Sequence, residues 1–139
     1  MQLTLHSVLK LLLSAVLGSV GALCLLHAAG VMQLPDALRL SHVDHLDKWT
    51  RGAALLALPP RLFVAILGLC KTAAALGFWV GGDVDRLVTL LAALMYLCVG
   101  VAHHQMDGAI AGPLGLAALC IAKLLTTPPV VGPVTKTKL

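Results

Sequence analysis

Apolar and polar positions alternate along this chain in long blocks, and four of the apolar blocks are long enough to be membrane helices. The first lies between Lys10 and Asp36 and, His27 aside, holds no basic or acidic residue. At about 1.5 Å of rise per residue it exceeds the roughly 30 Å of a hydrocarbon core, which predicts a span over 11–34. A second span is expected over 61–81, after Pro59 and Pro60 reset the chain. A third is expected over 87–102, between Arg86 and His103, and a fourth over 109–125. The third is the short one, about 24 Å by helical rise. A secretory signal peptide is the rival reading of the first run, with Ala28-Ala29-Gly30 as its cleavage site, but the run is longer than a usual signal core.

Small residues recur on these spans at helical spacing. Ser14, Gly18 and Ala22 follow one another at four-residue intervals, Gly68 and Gly77 lie in the second span, and Ala111 and Gly115 lie in the fourth. Such faces let another helix approach closely. Pro113 falls in the first turn or two of its helix, where it is tolerated.

Residues 36–51 have a different pattern. Asp36 follows Pro35 at a helix start and Gly52 is a stop. Leu38, Val43, Leu46 and Trp49 fall within an arc of about 140°. Asp44/Lys48 and Asp47/Arg51 are i,i+4 pairs with the acid first. This predicts a short amphipathic helix lying at the membrane surface, anchored by Trp49. His42 and His45 share that helix at a spacing that could hold a metal, but without a third ligand a solvated interface is the better reading. The tail, 128–139, carries Pro128, Pro129, Gly132, Pro133, Lys136 and Lys138 and is expected to be irregular. The expected organisation is therefore one transmembrane bundle over 1–127 followed by that tail.

Composition agrees with the pattern. Of 139 residues, 59% are hydrophobic and 12% charged, against about a quarter charged in soluble domains. All the acids are Asp; a soluble helical protein would use Glu on its wet faces, so the wet surface is small. The formal charge of +4 is dispersed, which suits anionic lipid or an acidic partner and speaks against nucleic acid. With four spans, Lys10, Arg86, Lys123, Lys136 and Lys138 would share one side and Arg39, Lys48, Arg51 and Arg61 the other, too even a split to set orientation. Cys24, Cys70, Cys98 and Cys120 each sit in an apolar run and read as small buried hydrophobes.

Lys71 is the candidate that stands out. It is ten residues from both Arg61 and Gly81, about 15 Å from either helix end, farther than a lysine stem covers by snorkelling. Either it makes a buried polar contact, with a carboxylate or carbonyl cluster of this chain or a neighbour, or it sits neutral in a dry site. His103, His104 and Asp107 close the third span, with Gly108 as a stop. Adjacent histidines point about 100° apart on a helix and do not chelate one metal from one face. A polar cap is the leading reading, with haem, chlorophyll or quinone near His103 and His104 as the minor ones; no cofactor and no metal are expected. Walker, GxGxxG, HExxH and GxSxG motifs are absent.

The stretch Gly68-Leu69-Cys70-Lys71-Thr72-Ala73-Ala74-Ala75-Leu76-Gly77, and the run from Tyr96 through His103-His104-Gln105 to Asp107-Gly108, resemble the DoxX-like membrane protein family. The connector from Met32-Gln33-Leu34-Pro35 resembles the branch of that family that includes the nicotinic receptor assembly chaperone. The resemblance covers most of 8–125. Lys71 stands where the family pattern has Glu, the departure that bears most on any role resting on that carboxylate. The resemblance implies a small subunit of a membrane oxidoreductase, including a thiosulfate:quinone type, or an assembly chaperone.

The sequence thus predicts an all-α membrane protein: a four-transmembrane-helix bundle with one short interfacial amphipathic helix between helices 1 and 2. The expected function is that of a non-catalytic accessory or structural subunit of a larger membrane complex, in an energy-transducing organelle membrane such as the mitochondrial inner or thylakoid membrane. The expected partners are the lipid bilayer and other membrane subunits. An assembly chaperone and a small subunit of a quinone-linked oxidoreductase are the alternatives.

Overall fold

The computed structural model describes residues 4–39, 59–105 and 110–127. These form helices α1 (Leu5–Ala28), α2 (Asp36–Arg39), α3 (Pro60–Val80), α4 (Gly82–Gln105) and α5 (Ala111–Thr126), with no strand among the described residues. Only the start of the predicted interfacial helix, α2, falls within them. Trp49, His42, His45, Asp107 and the tail lie outside the described residues.

Local chemistry sets the helix ends, and both ends of α1 and of α4 differ from expectation. α1 starts earlier than residue 11 because Thr4 caps it, accepting from the Ser7 N–H at 3.3 Å. His6 and Lys10 are therefore in its first turns. It ends at Ala28 rather than near 34 because Gly30 takes a positive φ of 75°. That turn lets the Val31 N–H reach the Leu26 carbonyl and the Gly30 N–H reach that of His27, each at 2.9 Å, a Schellman closure. α4, expected to be short, is 24 residues long. It takes in Asp83, Asp85 and Arg86, because acids in the first turn suit a helix N-terminus. The short helix is instead α5, with 16 residues.

Between α3 and α4 stands Gly81 alone, and the reversal needs positive φ at Gly81 (83°) and Gly82 (57°). α1, α3, α4 and α5 close into a ring in that order, each packed on its neighbours and α5 returning to α1. Contacts give the directions: Ser14 and Gly18 meet Ala75 while Gly21 meets Gly68, so α1 and α3 are antiparallel. Gly77 faces Val88 across the α3–α4 turn, and Gly100 faces Leu114 between α4 and α5. The core joins Leu13 and Leu17, Ala75 and Phe78, Ala92, Ala93 and Tyr96, and Ala117 and Cys120 from the four helices. A smaller cluster of Cys24, Leu34 and Val64 lies towards the other end.

The outer surface is apolar too, with Leu11, Leu69, Leu76, Leu91, Val101 and Leu125 exposed. By length and composition α1, α3 and α4 are each able to cross a membrane. Apolar helices of that kind with apolar outer faces are those of an integral membrane protein. The same fact corrects the reading of the cysteines. Cys24 and Cys120 are buried, but Cys70 and Cys98 are exposed, since a small apolar side chain in lipid has no need to be inside.

Candidate functional site

Burial of charge, not of apolar side chains, is the informative feature in such a fold. Lys71, Asp85, Thr89, His103 and Lys123 are the buried polar or charged residues among those described. They fall at different levels of the bundle.

The densest group sits where α1 and α4 begin and α3 and α5 end. Lys123, in the last turns of α5, is wholly buried and donates to the Asp85 carboxylate on the first turn of α4. Its Nζ also donates to Thr89 Oγ1 at 2.8 Å. Thr89 Oγ1 lies 2.6 Å from the Asp85 carbonyl oxygen, to which its hydroxyl donates. The other carboxylate oxygen of Asp85 faces His6 Nε2 of α1 at 3.6 Å. The Phe78 ring, at the end of α3, lies 4.6 Å from Lys123 Nζ, a cation–π distance. One ammonium is thus touched from α3 and α4 and linked through Asp85 to α1. His6 Nδ1 is buried without a hydrogen-bond partner. Placing Asp85 at a helix N-terminus and Lys123 near a helix C-terminus sets each charge against the favourable end of a macrodipole.

Sequence reasoning missed this group. It left Asp85 outside the expected spans 61–81 and 87–102 and counted Lys123 only among the charges of one membrane side. The signal was present: Asp85 and Thr89 are i,i+4 on one face. The midpoint of Thr89 and Lys123 is residue 106, inside the expected 103–108 turn, so an antiparallel hairpin brings the two together.

Lys71 is buried inside the chain, 6% exposed, with the thiol of Cys24 on α1 as an electrostatic neighbour. That burial leaves it little surface for another chain. Near it α1 and α3 pack closely at Gly21 and Gly68. A Cβ added to Gly21 would stand 2.9 Å from both the Gly68 carbonyl oxygen and the Thr72 nitrogen. Thr72 Oγ1 is buried without a hydrogen-bond partner. At the far end of α4, His103 is buried and His104 exposed, the divergence that adjacent helical positions impose.

The predicted small-residue faces divide. Ser14, Gly18, Gly68 and Gly77 lie at helix contacts, Ser14 with its hydroxyl 3.4 Å from the Ala75 carbonyl oxygen. Ala22 is exposed, and Gly21 makes the close contact that a strict four-residue spacing gives to Ala22. The α1–α3 face drifts by a residue because a helix turns at 3.6, not 4. Ala111 and Gly115 are exposed, with open space beside Gly115; α5 meets α4 at Gly100 through Leu114 and Pro113. Among the described residues no set of three His, Cys or Asp side chains is placed to hold a metal ion. No protein-family model, no curated protein and no solved structure matches the chain.

Proposed function

We propose that this chain is a non-catalytic accessory subunit of a larger membrane complex, and that α5 is the helix through which it docks. The observation that carries the reading is the outer face of α5. Ala111, Gly112, Gly115 and Ala118 are all exposed there, and the space beside Gly112 and Gly115 is open. Small residues on a membrane helix are of use where another helix approaches, since lipid tails pack as well on large side chains. α5 is also the shortest of the four long helices, about 24 Å by rise. A span shorter than the hydrocarbon core is relieved by association with neighbours. Four spans, membership of the DoxX-like family on residues 68–77 and 96–108, and an organelle membrane as the setting belong to the same proposal. Lys71 and the Asp85–Lys123 pair lie inside the chain, so their part is to hold the subunit together.

The test is native-size fractionation of gently solubilised membranes, following the wild type and the Gly115→Leu/Ala118→Leu variant by mass spectrometry. The expected result is co-migration of the wild type with one large assembly and release of the variant as a small folded species. A wild type that migrates alone, or a variant that stays in the assembly, would overturn the reading. A wild type spread over several assembly intermediates would replace it with the chaperone.

A further inference from the structure

α5 has few fully buried apolar side chains in the ring, although Leu116 and Leu119 pack part-buried against the core and Leu114 meets Gly100. Its buried residues are Ala117, Cys120 and Lys123. The largest of these is a lysine, wholly buried and within one turn of the helix end. A lysine at that position has an alternative: a small outward movement of the helix carries the ammonium to headgroups and water. Beyond the packing of Leu116 and Leu119, what opposes the movement is the carboxylate of Asp85, with Thr89 Oγ1 and the Phe78 ring in support. Among the described residues Lys123 has no second carboxylate.

We infer that the Asp85–Lys123 pair is a latch that seats α5. With Asp85 charged and in place, the ammonium is held inside and α5 closes the ring onto α1 and α4. With the carboxylate gone, the unpaired ammonium draws α5 out, while the α1–α3 seam stays closed around Gly21 and Gly68. The latch is asymmetric. Asp85 has a second basic neighbour, His6, on its other oxygen, whereas among the described residues Lys123 has Asp85 as its one carboxylate. Removing the acid leaves the ammonium with no carboxylate beside it, whereas removing the base leaves the carboxylate with the Thr89 hydroxyl and the His6 ring beside it. This inference concerns the seating of α5 within one chain and stands whether or not α5 docks onto a neighbour.

The chain carries its own reporters. Cys120 is buried on α5 one turn from Lys123, and Cys24 is buried on α1 in the cluster with Val64 of α3. The experiment uses the full chain in lipid nanodiscs and a water-soluble maleimide. One series retains only Cys120 and a second only Cys24, the other cysteines being changed to Ser. Asp85→Asn is expected to raise the labelling rate of Cys120 by about tenfold or more and to leave Cys24 protected. Lys123→Met is expected to leave both protected. Asp85→Asn/Lys123→Met is expected to restore protection of Cys120, because the charge that draws α5 out is gone. Three results would overturn the latch. They are a Cys120 as protected in Asp85→Asn as in the wild type, Cys24 opening together with Cys120, or a double variant as reactive as Asp85→Asn.

Discussion

The α1–α3 seam and the polar end of the bundle hold helices together by opposite means. At the seam, Gly21 and Gly68 remove side chains so that backbones touch, and dispersion over a close contact does the joining. At the polar end, Asp85, Thr89, Lys123 and His6 add groups that have no good partner in lipid except one another. The seam tolerates loss of a polar group but no added volume. The polar end tolerates paired changes, and loss of Lys123 better than loss of Asp85, whose other oxygen still faces His6. In a membrane, where apolar burial gives helices no preference for each other over lipid, both devices are needed: one sets distance, the other sets which helices meet and at what level.

The largest effect that would separate the two regions comes from breaking the ion pair on one side. Asp85→Asn is expected to cost about 3–5 kcal/mol, read as a shift in the SDS-titrated unfolding of the chain in mixed micelles. An unchanged midpoint would place the polar end on a par with a solvated surface pair. At the seam, Gly21→Val is expected to cost about 1–3 kcal/mol by overpacking, since the added atoms meet backbone at Gly68 and Thr72. Thr72→Val, which fills the same volume without an orphaned hydroxyl, is expected to be neutral or stabilising in the same titration. Thr89→Val removes one of two polar contacts to Lys123 and is expected to cost about 1 kcal/mol, the scale of interhelical hydrogen bonds in membranes. The smallest effect is that of Gly115→Ala, on an open outer face, expected within about 0.5 kcal/mol of the wild type. A large loss there would mean that α5 packs inward through that face.

The seam was legible in the sequence and the polar end was not, for a physical reason. A glycine or a lysine in the middle of an apolar run, as at Gly68 or Lys71, is anomalous against its neighbours and announces itself. Asp85 and Lys123 sit at the margins of apolar runs, where charges are ordinary, and only the pairing across 38 residues makes them unusual. The same ambiguity misplaced the boundary of α4: Asp83, Asp85 and Arg86 fell outside the span expected over 87–102, yet acids are what a helix N-terminus favours. Apolar run length gave the order of the long helices among the described residues, since it is a local property; of the four expected spans, three are long and apolar enough to cross a membrane and the fourth, α5, is short. The inward or outward facing of small residues is not local, which is why Gly18 and Gly115 looked alike in sequence and occupy opposite environments.

The most direct measurement is a double-mutant cycle on Asp85→Asn and Lys123→Met, with unfolding in mixed micelles as the readout. If the bundle is closed by a buried ion pair, the two changes are strongly non-additive, with Asp85→Asn/Lys123→Met more stable than Asp85→Asn alone by about 1–3 kcal/mol. Additive losses, with the double variant the least stable of the set, would contradict it.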